Sequence, residues 1–302
     1  MAEDFAQLAT EAQDGGMPLD LLPTLELLQA INAQDALVAA AVAARLSDIA
    51  AVVDAAAARL RRGGHLHYFG AGTSGRLGVL DASEIPPTFG VAATLVQGHM
   101  AGGAAALLEA VEGAEDSLPL GQAAVRDAGV GAHDVVVALS ASGRTPYALG
   151  VLQEATRCGA LTVALVCNSG SPMASAAHHC IAVITGAEIL SGSTRLKAGT
   201  AQKLVLNMLS TALMTRLGRT YGDLMVGVQA TNEKLRARAL RIVMSISAES
   251  SQSAAAAALD AAAGDARVAT LMLVHTLTAT AARTRLDACA GSLRAALAQR
   301  NA

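Results

Sequence analysis

Apolar residues recur at helical spacing from Thr24 to Leu60, through "TLELLQAINAQDALVAAAVAARLSDIAAVVDAAAARL", and Gly63 with Gly64 stops the run. A short strand, "HLHYF" (65–69), follows, then a glycine loop and a helical stretch over 74–84. Four further apolar runs have strand length: "VAATLV" (91–96), "DVVVALS" (134–140), "LTVALVC" (161–167) and "CIAVIT" (180–185). The segments between them read as helices, as in "PYALGVLQEATRCG" (146–159). Buried strands alternating with helices predict an α/β fold with a mostly parallel sheet covered on both faces. After "ATNEKLRARALRIVMSI" (230–246) only helical patterns remain, and 248–299 predicts a three-helix tail with Ser251 as an N-cap. The pattern divides the chain into an N-terminal helical segment (1–60), an α/β domain (61–228) and a C-terminal helical segment (229–302), with no internal repeat.

Composition removes several function classes. Hydrophobic residues make up 53% of the chain, largely through alanine, while aromatics are 2%, which suits close helix packing with small side chains. The most apolar stretch, "LVLNMLSTALM" (204–214), is too short and too polar for a bilayer, so no membrane partner is expected. It lies in a helix, 200–217, that is apolar nearly all round, which predicts burial on several sides as in a dimer core. Net charge is −3, and no basic surface points to nucleic acid. The acidic start "MAEDFAQLATEAQD" has no apolar core of the signal-peptide kind. Cys158, Cys167, Cys180 and Cys289 are scattered without a CxxC pair, as expected of reduced thiols in a cytoplasmic protein.

Candidate chemistry gathers in two loops. Gly70, Gly72 and Gly75 satisfy the GxGxxG spacing of dinucleotide-binding turns. That fingerprint also needs an acid at the end of the second strand, and here that strand ends "LVQGHM" (95–100). The loop instead interleaves Thr73 and Ser74. A second loop, "LSASGRTPY" (139–147), leaves a strand and enters a helix in the same way, presenting Ser140, Ser142, Gly143 and Thr145. Helix N-termini attract anions through unsatisfied N–H groups and the macrodipole, and ligands of open parallel sheets collect at the strands' carboxyl ends. Two hydroxyl-rich loops suit one compact phosphate monoester better than an extended dinucleotide. The alternative is that these hydroxyls only cap their helices.

The stretches "GAGTSGRLGVLDASEIPPTFG" (70–90), "AVEGAED" (110–116), "ASGRTPY" (141–147), "GSTRLKAGTAQKLVLNMLST" (192–211) and "VQATNEKL" (228–235) resemble the N-acetylmuramic acid 6-phosphate etherases, a branch of the sugar isomerase (SIS) domain family. The resemblance covers nearly the whole chain. It implies a flavodoxin-like SIS three-layer sandwich with N-terminal helices and a small helical C-terminal tail, and a homodimer. It implies a lyase that cleaves the D-lactyl ether of N-acetylmuramate 6-phosphate in the recycling of cell-wall sugars, with no cofactor and no metal. It places Glu84 and Glu115 on acid/base positions. By the same resemblance the sugar phosphate falls to Ser74, Ser140, Ser142 and Thr145, and Gly72, Thr73, Gly143, Ser193 and Lys197, the last two from the fourth stretch, are further candidate contacts of the phosphorylated amino sugar. One departure is visible: a threonine-glutamate followed by arginine-asparagine is expected near the N-terminus, and this chain has "TEAQD", with Gln13 and Asp14 in the last two places.

Each candidate also has a plainer reading. Glu84 could be a surface acid ending a helix before Pro86 and Pro87, although a cation suits a helix C-terminus better. Glu115 stands among Glu109, Glu112 and Asp116, so its pattern alone does not single it out. Lys197, with Arg195 and Lys203, could be a solvated basic turn. His65 with His67, and His178 with His179, have no cysteine or carboxylate at zinc-like spacing and read as core or solvated histidines. Two other functions share these motifs: a sugar-phosphate-controlled regulator, which carries two SIS domains where 302 residues allow one, and aldose–ketose phosphate isomerases, which lack "DASEIPPTFG" and "GSTRLKAGTAQK".

Overall fold

Five parallel strands form one sheet in the order β2-β1-β3-β4-β5: β1 (Leu66–Gly70), β2 (Val96–Met100), β3 (Val135–Ser140), β4 (Leu161–Val166) and β5 (His179–Ala182). The computed structural model describes residues 8–12, 18–109, 111–228, 233–249 and 251–299. Every residue of β1, β3 and β4 is buried, as the unbroken apolar runs require of strands covered on both faces. The order 2-1-3-4-5 is the flavodoxin-like one, with its reversal between β1 and β3. The α/β parallel-sheet expectation is therefore met.

Register explains how the faces are used. Tyr68 pairs with Val137 and Gly70 with Leu139, so Tyr68, Val137 and Leu139 share one face. α3 (Gly72–Phe89) covers that face, approaching so closely at Gly78 that a Cβ there would stand 2.9 Å from Leu139 Cδ1 and 3.0 Å from Tyr68 Cβ. The opposite face carries Phe69, Val136 and Ala138, which pack with Val151, Leu152 and Ala155 of α5 (Pro146–Arg157). α4 (Leu118–Asp127) completes that layer.

Several boundaries differ from the sequence pattern for physical reasons. The helical run over 24–60 is two helices, α1 (Thr24–Ala43) and α2 (Leu46–Leu60), broken at Ala44 and Arg45. β2 lies at 96–100 rather than 91–96. It is an edge strand paired only with β1, so its half-exposed residues need not be apolar. α3 does not end at 84 but continues through Pro86 and Pro87 to Phe89, and Gly90, at φ +61, closes the last turn with its N–H 2.9 Å from Pro86 O. Gly90 takes the left-handed conformation that ends many helices.

The chain's contacts gather into two compact units. One comprises the residues up to Ser83 with Thr94–Ser210, and the other comprises Glu84–Ala93 with the residues from Thr211 onward. In the second unit, 248–299 holds four helices rather than three: α9 (Gln252–Ala261), α10 (Ala266–His275), α11 (Ala279–Ala288) and α12 (Leu293–Ala298), after α8 (Glu233–Ser247). Ser251, Asp265, Thr278 and Ser292 each cap a helix, accepting an N–H in its first turn. Leu259, Ala269, Leu271 and Leu293 are among the side chains of this unit's own core.

α6 (Pro172–Ala176) and α7 (Lys197–Arg216) complete the described helices. The expected burial of α7 on several sides is met without a partner chain. Val205, Leu206, Leu209 and Leu213 are all buried within the single chain, and the exposed positions are mainly polar: Lys203, Asn207, Thr211 and Thr215. Among the described residues no single helix is long and apolar enough to cross a membrane.

α7 also holds a partner for a buried acid. Asp81 of α3 accepts a hydrogen bond from Ser210 Oγ at 3.1 Å and is 9% exposed. Burial pushes its pKa up to about 6, against the opposing pull of Tyr68, Ser210 and Lys203. The fold thus prefers protonated Asp81. That contribution is whole below pH ~4, fades as pH rises through about 6 and is absent above it. Asp81→Asn should therefore be more stable than wild type above pH 6, by on the order of 2 kcal/mol, and lose the pH dependence between pH ~4 and ~6. Denaturant unfolding across that range checks this, and an Asn variant less stable at pH 7.5 would contradict it.

Candidate active site

A pocket of about 340 Å³ opens at the carboxyl ends of β1 and β3, where the strand order reverses. Its walls are the first turn of α3 (Gly72, Thr73, Ser74), Ser140 at the end of β3 with Ala141, Ser142, Arg144 and Thr145 of the loop that follows, and Glu115 with Asp116. Gly72 sits at φ +52, in the left-handed region, with open space where a Cβ would be. Conformation rather than crowding makes glycine fit there. The first three N–H groups of α3 have no intrahelical acceptor, the feature through which helix N-termini attract anions.

The 140–145 loop is a hydroxyl network. Ser140 Oγ lies 2.8 Å from Thr145 Oγ1 and 3.2 Å from Ser142 Oγ, and accepts the Gly143 N–H at 3.1 Å. Ser142 Oγ accepts the Arg144 N–H at 3.2 Å. A hydroxyl offers one proton and two lone pairs, so Ser140 is saturated by its three partners. It accepts from Gly143 and from one neighbouring hydroxyl, and donates to the other. The hydroxyl that receives the Ser140 proton keeps its own for a ligand. Thr145 occupies the N-cap position of α5 yet makes no side-chain cap bond, unlike Ser117, Ser171 and Ser251 at other helices. These hydroxyls are therefore not spent on capping. Gly143 is buried at φ +69, and a Cβ there would collide with Ser171.

Ser74, 8% exposed, donates its proton to Gln202 Oε1 at 2.8 Å. Its hydroxyl is committed to α7, while its backbone N–H stays in the open first turn of α3.

The family model of the glucokinase regulatory protein N-terminal SIS domain matches residues 48–156. An N-acetylmuramic acid 6-phosphate etherase of Streptomyces avermitilis is 54% identical over 280 residues, 93% of this chain and 90% of that protein. Those of Cronobacter sakazakii and Aeromonas hydrophila are 53% and 49% identical over 93% and 96% of this chain, covering 94% and 98% of theirs. The chain belongs to the N-acetylmuramic acid 6-phosphate etherase family.

Not every predicted residue of this etherase-family chain lines the pocket. Gly72, Thr73, Ser74, Glu115, Ser140, Ser142 and Thr145 do, whereas Gly143 is buried and is not among the lining residues. Ser193 does not, and its neighbour Thr194 does. Lys197 is 3% exposed, absent from the lining, and its Nζ donates to Gln34 Oε1 on α1 at 2.6 Å. Its ammonium serves the packing of α7 against α1. Glu84 is exposed on α3, in the second compact unit, and is not among the lining residues.

The structure adds residues the sequence pattern did not flag. Glu188, 1% exposed, accepts the Lys197 N–H at 3.0 Å and the Ala198 N–H at 2.9 Å, a buried carboxylate on the positive end of α7. Thr10 and Glu11 are fastened at the pocket rim. Asn168 Nδ2 donates to Thr10 Oγ1 and to Ala141 O, both at 3.0 Å, and Ser191 Oγ donates to Glu11 O at 3.2 Å. Glu11 itself lines the pocket. Half of the departing "TEAQD" motif is thus held at the site, while Gln13 and Asp14 lie outside the described residues.

Ser140→Ala should cost about 1–3 kcal/mol of stability, because the buried Gly143 N–H loses its acceptor and two hydroxyls lose their hub. Ser142→Ala should cost less than ~1 kcal/mol, since its partner Arg144 N–H is less buried. Urea denaturation of both variants tests the hub, and equal stabilities would refute it.

Proposed function

We propose that the chain cleaves the D-lactyl ether of N-acetylmuramic acid 6-phosphate with water, giving N-acetylglucosamine 6-phosphate and D-lactate for reuse of cell-wall sugars. The observation that carries this reading is a switch-point pocket that joins the glycine-rich first turn of α3 and the hydroxyl network after β3 to the carboxylate of Glu115, in a chain about half identical to such etherases along nearly its whole length.

The chemistry follows from the substrate. An ether oxygen on C3 leaves poorly in simple hydrolysis. In the ring-opened sugar, C3 is β to an aldehyde, so loss of the C2 proton gives an enolate that expels the C3 oxygen. Water then adds at C3 of the unsaturated aldehyde. This route needs a base at C2, an acid for the departing lactyl oxygen and an anchor for the remote phosphate. Acid–base groups contribute ~10²–10⁴-fold each, and the anchored phosphate supplies orientation. The α3 first turn, Ser142 and Thr145 take the phosphate. Glu115 takes the C2 proton. Glu84, assigned through the "DASEIPPTFG" motif, protonates the leaving oxygen and then activates water. A second reading has its own observation: Glu11 lines the same pocket as Glu115 and offers an alternative acid.

D-lactate should be released from N-acetylmuramate 6-phosphate, with no isomerisation of fructose 6-phosphate and far slower cleavage of the unphosphorylated sugar. Ser142→Ala should raise KM by a factor equivalent to about 1.5–3 kcal/mol. Glu115→Gln should abolish both lactate release and exchange of the C2 hydrogen with deuterium. Glu84→Gln should retain exchange without net cleavage. Exchange without cleavage in Glu11→Gln, with an active Glu84→Gln, would move the acid role to Glu11.

The reading includes a homodimer, and α1 is the surface that supports it. Leu25, Leu28 and Leu37 are 67%, 56% and 55% exposed, and Leu21 just before the helix is 75% exposed. So much exposed leucine on one segment marks an interaction surface. Leu28→Asp should release monomers in sedimentation equilibrium while leaving the unfolding cooperative. Monomeric wild type at micromolar concentration would overturn the assignment.

A further inference from the structure

Three side chains converge at the end of β1 opposite the pocket, and the proposed reaction uses none of them. His65 immediately precedes β1, His67 lies in it and Asp134 immediately precedes β3. Asp134 Oδ1 accepts the His65 N–H at 2.7 Å and stands 3.3 Å from His65 Nδ1. Its Oδ2 accepts the Gly131 N–H at 2.7 Å and stands 3.8 Å from His67 Nε2. The carboxylate is thus locked by two backbone N–H groups, with one ring nitrogen beside each oxygen.

His67 is the informative member. It is 1% exposed, its Nδ1 lies 3.1 Å from His99 Nε2, and among the described residues its Nε2 has no hydrogen-bond partner. An unpaired buried polar atom costs free energy that folds normally avoid. The carboxylate is its nearest candidate partner, and 3.8 Å is too long for an N–H···O bond. The separation instead suits two ligands of one cation. With Zn–N and Zn–O near ~2.0–2.1 Å, tetrahedral ligands lie roughly 3.3 Å apart. The three candidate atoms lie within 4.8 Å of one another, so small rotations close the site.

The surroundings fit the same chemistry. A metal-bound histidine generally uses its second nitrogen to hold the ring in place, and His99, stacked on His67 at 5.3 Å between centroids, occupies that position. The His65 side chain is 41% exposed, giving an entry path and leaving solvent for a fourth ligand. Two imidazoles and one carboxylate select a borderline cation such as Zn²⁺ or Co²⁺ over Ca²⁺ or Mg²⁺. Spacing hides the set in the sequence, because Asp134 lies 69 residues from His65.

We propose that His65, His67 and Asp134 bind one zinc-class divalent cation, a structural site that ties the start of β1 to the start of β3. The full chain, stripped with a chelator and then freed of it, is titrated with ZnCl₂ by calorimetry and thermal unfolding, with CoCl₂ as an optical probe. One Zn²⁺ per chain, a rise in Tm and the visible bands of four-coordinate Co²⁺ are expected. His65→Ala, a change at a half-exposed ring, should weaken Zn²⁺ binding at least about tenfold, and His67→Asn should abolish it. His179→Ala should bind as wild type. No stoichiometric uptake, unchanged uptake in His65→Ala, or loss of uptake in His179→Ala in place of the others would overturn the proposal. Should His67→Asn fail to fold, His65→Ala carries the test.

Discussion

The structure depends on one constraint: β1 and β3 are neighbours in a fully buried parallel sheet, yet their following helices lie on opposite faces. A parallel strand buried on both sides must be followed by a helix that returns across one face. α3 takes the face of Tyr68 and Leu139, and α5 takes the face of Phe69 and Ala138. The chain parts at the carboxyl ends of these two strands, leaving a crevice into which two helix N-termini open. The glycine and hydroxyl loops follow from that position. Their first residues must turn sharply away from the sheet, and their free N–H groups must meet something other than a helix carbonyl.

That geometry explains why part of the protein was legible from sequence. β1, β3 and β4 are apolar runs because both faces are covered, and burial is what hydropathy records. β2 was displaced by several residues because an edge strand pairs on one side only and carries Gln97, Gly98 and His99 where a central strand carries valine. The continuation of α3 through Pro86 and Pro87 was illegible for a related reason. Proline's penalty is local, but helix extent is set by what the helix packs against, and Ile85 and Phe89 are buried.

The site divides along the same line. Ser140, Ser142 and Thr145 are close in sequence, so a reader of the chain meets them together. The contacts that hold the pocket's rim span long separations: Asn168 reaches Thr10 across 158 residues and Ser191 reaches Glu11 across 180. Lys197 shows the converse. A lysine beside a suspected phosphate site invites a ligand role, and only burial reveals that its ammonium is occupied by Gln34. Charge alone carries no direction; packing supplies it.

The pocket's choice of neutral donors bears on its chemistry. Among the described lining residues Arg144 is the one cation, while Glu11, Glu115 and Asp116 bring three carboxylates. A guanidinium cluster would bind a phosphate more strongly, but within a few ångströms it would also hold a carboxylate in its charged form and blunt it as a base. Hydroxyls and helix N–H groups receive an anion through dipoles that fall off steeply with distance, so in the proposed function they would serve the phosphate without silencing a glutamate across the pocket. The Ser140 hub extends this logic. By saturating itself it fixes the directions of Ser142 and Thr145, so that in the proposed function orientation, rather than net positive charge, would make the anion site.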